Sequence, residues 1–308
     1  MGNTTTIAQG QPPRAGARRQ VSDRTIQQLF ILPTLVLLLL WNVFPLFYSL
    51  FLSFTKYSHS GKLPPLWIGT ANYDALLSDP KVWAAFAVTG SYALLSVGGQ
   101  ALVGFGLALL LRAKFKASGL LTTLILIPMM LSPVVVGQFW KLIFHPLYGI
   151  FNYMLGYWNS ATAPDWLRSH ALISLVIVDV WMWSPFVMLL CLSGLKAIPD
   201  YIYEAAAVDR ASSWRQFWRI TLPSVAPLLT LAILFRTIEA LKAFDLVMGL
   251  TGGGPGNVTE TVSVGLYRMV FQGQPRTGEA SALAYIMLIA IIGISNVYIW
   301  YLNRMKES

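Results

Sequence analysis

Apolar residues in this chain come in long unbroken runs, not in the short alternations of strands or the half-polar stripes of soluble helices. Six runs stand out: 28–54, then about 83–111, 120–144, 171–195, 224–250 and 280–302. A bilayer's hydrocarbon core is about 30 Å thick, and roughly 20 apolar residues in helical form cross it. Each run is long enough. The pattern therefore predicts an all-α integral membrane protein with six transmembrane helices in one domain, 28–304. Residues 1–27 precede it as a polar, Gly-, Pro- and Arg-rich tail expected to be disordered, and 305–308 follow it. The first run is too long for the apolar core of a signal peptide and lacks a small-residue cleavage site, so it is expected to be retained. Pro33, Pro45, Pro128, Pro133 and Pro185 predict kinks within the runs. Gly98, Gly99, Gly104 and Gly106 predict close helix packing.

Composition narrows the class. Hydrophobic residues make up 56% of the chain and charged residues 11%, against about 25% charged in soluble domains. A formal net charge of +9 raises nucleic acid as a partner. The placement of the bases argues against it, because they gather between the runs, as membrane topology requires. Arg14, Arg18, Arg19 and Arg24, then Arg112, Lys114 and Lys116, then Lys196, Arg210, Arg215 and Arg219, and finally Arg304 and Lys306 fall on one side. Fewer bases fall on the other. By the positive-inside rule both termini are cytoplasmic, and so is the connection between the fourth and fifth runs. The single cysteine, Cys191, cannot close a disulfide within the chain, and His59, His145 and His170 are scattered, so no metal site is expected.

That fourth-to-fifth connection reads YIYEAAAVDRASSWRQFWRITLPSVAP, residues 201–227. Pro199-Asp200 is a helix-start signal, and Tyr201 to Val208 supply about two turns. Ser213 and Gln216 fit a capping box for a second short helix, which Pro223 is expected to end. Too polar to span and too patterned for a slack linker, the segment reads as a cytoplasmic helix–turn–helix. An amphipathic helix lying on the lipid surface is the alternative.

The segment EAAAVDRASSWRQFWRITLP resembles the EAA loop of permease subunits of bacterial ATP-binding cassette importers, through Glu204, Ala205, Ala206, Asp209, Ala211, Ile220, Leu222 and Pro223. A second stretch, AFDLVMGLTGGGPGNVTET at 243–261, resembles the carbohydrate-type permeases of the maltose and glycerol-phosphate importer group. The resemblance implies the type I importer permease fold and a place in the bacterial cytoplasmic (inner) membrane. It implies four kinds of partner: a second permease subunit, expected to be different from this one; two copies of a cytoplasmic ATPase; an extracytoplasmic solute-binding protein; and a sugar-type solute. The loop 197–223 would dock on the ATPase, with Glu204 meeting a basic residue and Tyr201, Ile202, Ala205 and Ala206 filling a cleft; Asp209 and Arg210 form its turn. Where the family has Gly after Asp209, this chain has Arg210. A left-handed turn there costs a non-glycine residue roughly 1–2 kcal/mol. No GxxxxGK[ST] phosphate loop is present. ATP and Mg²⁺ are thus expected on the partner ATPases, and this chain is expected to be non-catalytic, without a cofactor of its own.

The fifth run carries Arg236, Glu239, Lys242 and Asp245 at intervals of three with alternating sign. Charges inside a spanning helix mark function by default, yet these four sum to zero and can pair along one stripe. Two readings stay open, structural ion pairs and a lined solute path. Resemblance places the path at Arg236, Glu239, Ala240 and Ala243, with Lys242 adjacent, and in the fourth run at Asp179, Met182, Trp183 and Phe186. An ion-coupled secondary carrier is the alternative function; it leaves the EAA-like loop unexplained.

Overall fold

The computed structural model describes residues 23–307 apart from 62, 114–115 and 158–162, and is mostly helical. The expected tail, with Arg14, Arg18 and Arg19, lies outside the described residues for its first 22 positions, as do Lys62 and Lys114. Contacts divide the chain into two compact units, Met1–Ser49 and Leu50–Ser308.

Helix α1, Gln28–Ser53, contains a π-turn at Leu39–Val43, where the Phe44 N–H reaches back five residues to the Leu39 carbonyl. Pro45 follows at once. A proline lacks the donor that an α-turn needs, and the widened turn shifts the pairing so that the helix continues.

In the second unit, Thr55–Lys56 pairs antiparallel with Leu66–Trp67, a small strand pair that the apolar pattern did not predict. Helix α2, Pro80–Leu111, follows. The third run does not form one straight span. Ser118–Met130 (α3) and Pro133–Ile143 (α4) meet at 99°. Pro133 forces Ser132 out of the helical region, to ψ 132°, and Leu131 is also extended. Helix α5, Ala171–Ala197, accommodates Pro185 without breaking.

After α6, Asp200–Val208, the second expected short helix is the opening of a long one. Helix α7 runs from Ser213 to Leu241. Pro223 does not end it, because a π-turn at Phe217–Thr221 precedes the proline and the Leu222 N–H pairs with the Phe217 carbonyl, the same solution as in α1. The fifth run instead breaks at residues 242–244 and resumes as α8, Asp245–Leu250. Helices α9, Val262–Phe271, and α10, Thr277–Met305, complete the unit.

The core lies between α2, α5, α7 and α8, around Tyr92, Phe144, Leu175, Met182 and Leu250, with a second cluster around Met188, Cys191, Leu195 and Val225. Gly104 sets the α2–α5 distance: a Cβ there would stand 2.6 Å from the Ser184 carbonyl oxygen. Gly99 meets the Val180 side chain in the same seam, whereas Gly98 and Gly106 face open space. Only part of the expected glycine set therefore packs helices together within this chain.

Candidate functional site

Two arrangements carry the candidate residues. The first is α6 with the turn after it. Pro199 is extended and occupies the cap position, so Asp200 is the first helical residue and acts on the free N–H end by charge. The far end closes as a Schellman motif. Arg210 N–H donates to Ala207 O at 3.0 Å, and Ala211 N–H to Ala206 O at 2.9 Å. Arg210 has φ 52°, the left-handed conformation that glycine adopts freely. The helix that follows is capped by Ser212, whose Oγ accepts from the Arg215 N–H, one residue earlier than the capping-box pattern placed it. Gln216 donates to the Ala211 carbonyl at 3.0 Å and does not close the reciprocal half of the box.

One face of α6 is tied to the rest of the chain. Ile202 and Tyr203 pack on the second core cluster, the Tyr203 and Thr221 hydroxyls share a 2.9 Å hydrogen bond, and the Arg112 guanidinium lies 4.1 Å over the Tyr203 ring. Ile202 thus faces this chain's own interior, and Ala206 is half-buried. The opposite face is open. Tyr201, Glu204, Ala205 and Val208 are exposed at helical spacing, with Val208 at 83%, and Asp209 and Arg210 extend the same exposed surface. Val208 was not among the expected contact residues; its i+7 spacing from Tyr201 is the signal that places it there.

The second arrangement is a polar cluster inside the helix bundle. Asp179 of α5 and Arg236 of α7 form an ion pair at 3.6 Å with both side chains almost wholly buried. Gln100 of α2 bridges them. Its amide donates to Asp179 Oδ2 at 2.8 Å, and its Oε1 accepts from Arg236 Nε at 2.9 Å. Arg236 also stacks on Trp183, 4.4 Å from the ring centroid. The hydroxyls of Tyr92 and Ser96 stand beside the same carboxylate. Gln100, Tyr92 and Ser96 escaped the sequence reading. Their signal was present: polar side chains at 92, 96 and 100 recur every four residues inside an apolar run.

The expected single stripe of four charges does not form. Arg236 pairs across to α5 and not along its own helix. Glu239 pairs with Lys242 at 2.8 Å, and this pair is exposed. Lys242 caps the end of α7, and Asp245 begins the next helix. The Thr261 hydroxyl holds the break by donating to the Ala243 carbonyl at 2.9 Å. Of the residues expected on a solute path, Asp179, Met182, Arg236 and Ala240 lie in the interior. Trp183, Phe186 and Ala243 are partly buried, whereas the Glu239 and Lys242 side chains are 59% and 48% exposed. Phe186 meets Phe235 edge to face at 6.5 Å. Among the described residues no cluster of His, Cys, Asp or Glu is arranged to hold a metal ion.

A bundle of membrane-length helices, polar-linked inside and presenting a tethered two-turn helix at one end, is the architecture of a transport permease. The chain belongs to the family described as "Binding-protein-dependent transport system inner membrane component", which its residues 100–304 match. It is similar to a probable ABC transporter permease protein, y4oQ, of Sinorhizobium fredii, with 38% identity over 97% of each chain. It is also similar to the trehalose/maltose transport system permease protein MalF of Thermococcus litoralis, with 34% identity over 88% of this chain and 91% of that one. The crystal structure of a bacterial ABC transporter involved in the import of the acidic polysaccharide alginate shares the fold. That likeness has a TM-score of 0.77 and 22% identity, covering 91% of this chain and 95% of the other.

Proposed function

We propose that this chain forms half of the translocation path of an ATP-driven, binding-protein-dependent importer for a sugar or sugar derivative. It works beside a second, different permease subunit and is driven by two copies of a cytoplasmic ATPase that bind ATP and Mg²⁺. Both termini and α6 face the cytoplasm, and a solute-binding protein delivers the ligand on the other side. The trehalose/maltose permease relative supports the sugar class.

One observation carries the coupling role. The tethered helix α6 touches the start of α7 through Tyr203 and Thr221, and α7 runs without a break to Arg236, which is locked to α2 and α5. A push on the exposed face of α6 is thereby delivered along one stiff rod to the middle of the bundle. The solute side of the path falls to the accessible groups Trp183, Phe186, Glu239, Lys242 and Ala243, because aromatic rings pack on the apolar faces of a sugar and charged groups bond its hydroxyls. Three of the charges that motivated an ion-coupled carrier are paired, Arg236 with Asp179 and Glu239 with Lys242.

The test is capture. Tagged chain purified from its native membrane is expected to bring down an ATP-binding cassette subunit, and Glu204→Lys is expected to weaken that capture. Recovery of the wild-type chain without any ATPase would contradict the proposal.

A further inference from the structure

Helix α7 is longer than a bilayer core requires. Its 29 residues extend about 43 Å at about 1.5 Å per residue, against about 30 Å of hydrocarbon. The apolar segment Leu222–Leu241, 20 residues long, fills that core by itself. Ser213–Thr221 therefore stands in the headgroup layer.

This end carries Trp214-Arg215-Gln216-Phe217-Trp218-Arg219, in which a Trp-Arg pair recurs after four residues. The spacing puts the two tryptophans on one face and the two arginines on the neighbouring one. The Trp214 and Trp218 rings meet edge to face at 5.5 Å yet remain 71% and 49% exposed. Phe217 faces the protein instead, against Phe105. Arg215 and Arg219 are exposed, and among the described residues neither enters an ion pair. Two large amphipathic rings at the depth where tryptophan is favoured, beside two uncompensated guanidinium groups, ask for a partner that is apolar below and anionic above.

We propose that Trp214, Arg215, Trp218 and Arg219 form a binding site for the headgroup of an anionic phospholipid such as phosphatidylglycerol, in the leaflet around this end of α7. The planar guanidinium groups match phosphate oxygens two at a time, and the indole rings cover the glycerol and upper acyl chains. The bound lipid steadies the first turns of the rod that α6 acts on. The site does not depend on what docks on α6.

The experiment is native mass spectrometry of the purified full-length chain. It is offered an equimolar mixture of phosphatidylglycerol and phosphatidylcholine with identical acyl chains, with and without excess inorganic phosphate. Wild type is expected to retain phosphatidylglycerol about tenfold over phosphatidylcholine, and free phosphate is expected to leave that preference in place. Arg215→Gln with Arg219→Gln is expected to bring the ratio to parity, and Arg215→Lys with Arg219→Lys to leave an intermediate one. Trp214→Ala with Trp218→Ala is expected to lower retention of both lipids. An unchanged ratio in the double glutamine variant overturns the proposal. So does displacement by phosphate alone, or loss of the wild-type preference once the ATPase is bound, which assigns the surface to a protein.

Discussion

Removing one charge of the pair that joins α5 to α7 is expected to cost more than removing both. Asp179 and Arg236 are 4% and 5% exposed and stand 3.6 Å apart. At an effective dielectric of about 20 their attraction is roughly 5 kcal/mol, and the cost of taking both from water is of similar size. The pair as a whole contributes little net stability, but each member depends on the other. Asp179→Asn leaves a buried guanidinium that keeps Gln100 and Trp183 but loses its buried carboxylate, which is expected to cost about 3–5 kcal/mol. The triple change Asp179→Leu, Arg236→Met and Gln100→Leu removes the charges together with the amide that bridges them, and is expected to fall near wild type. Thermal unfolding of each purified variant in one defined detergent gives the ranking. If Asp179→Asn melts with wild type, or the triple variant is less stable than the single one, the reasoning fails. Uptake by a stable triple variant then separates the roles: normal transport assigns the cluster to holding helices together, and lost transport assigns it to the moving mechanism.

Other consequences are simpler to read. Glu239→Ala and Lys242→Ala break an exposed pair, so stability is expected to change by less than about 1 kcal/mol while solute uptake falls; an equal loss of assembly would refute the path assignment. Arg210→Gly relieves the φ 52° conformation and is expected to stabilise the turn by about 1 kcal/mol, seen as a higher melting temperature; a lower one would mean that the Arg210 side chain contributes more than the strain costs. Gly104→Ala places a Cβ against the α5 backbone and is expected to destabilise by about 1–3 kcal/mol, whereas Gly98→Ala meets open space in this chain and is expected to unfold with wild type.

Much of the fold was legible because a bilayer demands long apolar helices and little else produces them. The runs at 83–111, 171–195 and 280–302 became α2, α5 and α10 with only their ends moved. What hydropathy missed was where helices break. Apolar residues fill both sides of the bend at Leu131–Ser132, so that run looks continuous, while the break at 242–244 sits among Glu239, Lys242 and Asp245, whose even spacing reads as a stripe along one unbroken helix. The first break is local proline chemistry. The second is held by Thr261 from a later loop, and no local pattern reports such a bond. The error at Pro223 ran the other way, since a proline read as a stop is absorbed by a π-turn.

The candidate site was legible in proportion to how local it is. Glu204, Ala205 and the left-handed Arg210 lie within a few turns of one another, and their backbone follows from caps and turn rules. The pairing of Arg236 was not legible, because three evenly spaced neighbours on its own helix competed with Asp179, and only tertiary packing chose between them. Burial then divided a set that sequence had treated as one. Asp179 and Arg236 moved to the interior, and Glu239 and Lys242 to the accessible side.

The account stands most directly on the energy source. The chain, assembled with the proposed second permease and ATPase in proteoliposomes and supplied with sugar-loaded binding protein, is the system to measure. Uptake is expected only with ATP on the α6 side, to stop with vanadate, and to persist with an uncoupler. Glu204→Lys is expected to abolish uptake while the chain still folds. Uptake that ignores vanadate and collapses with the uncoupler would contradict the account.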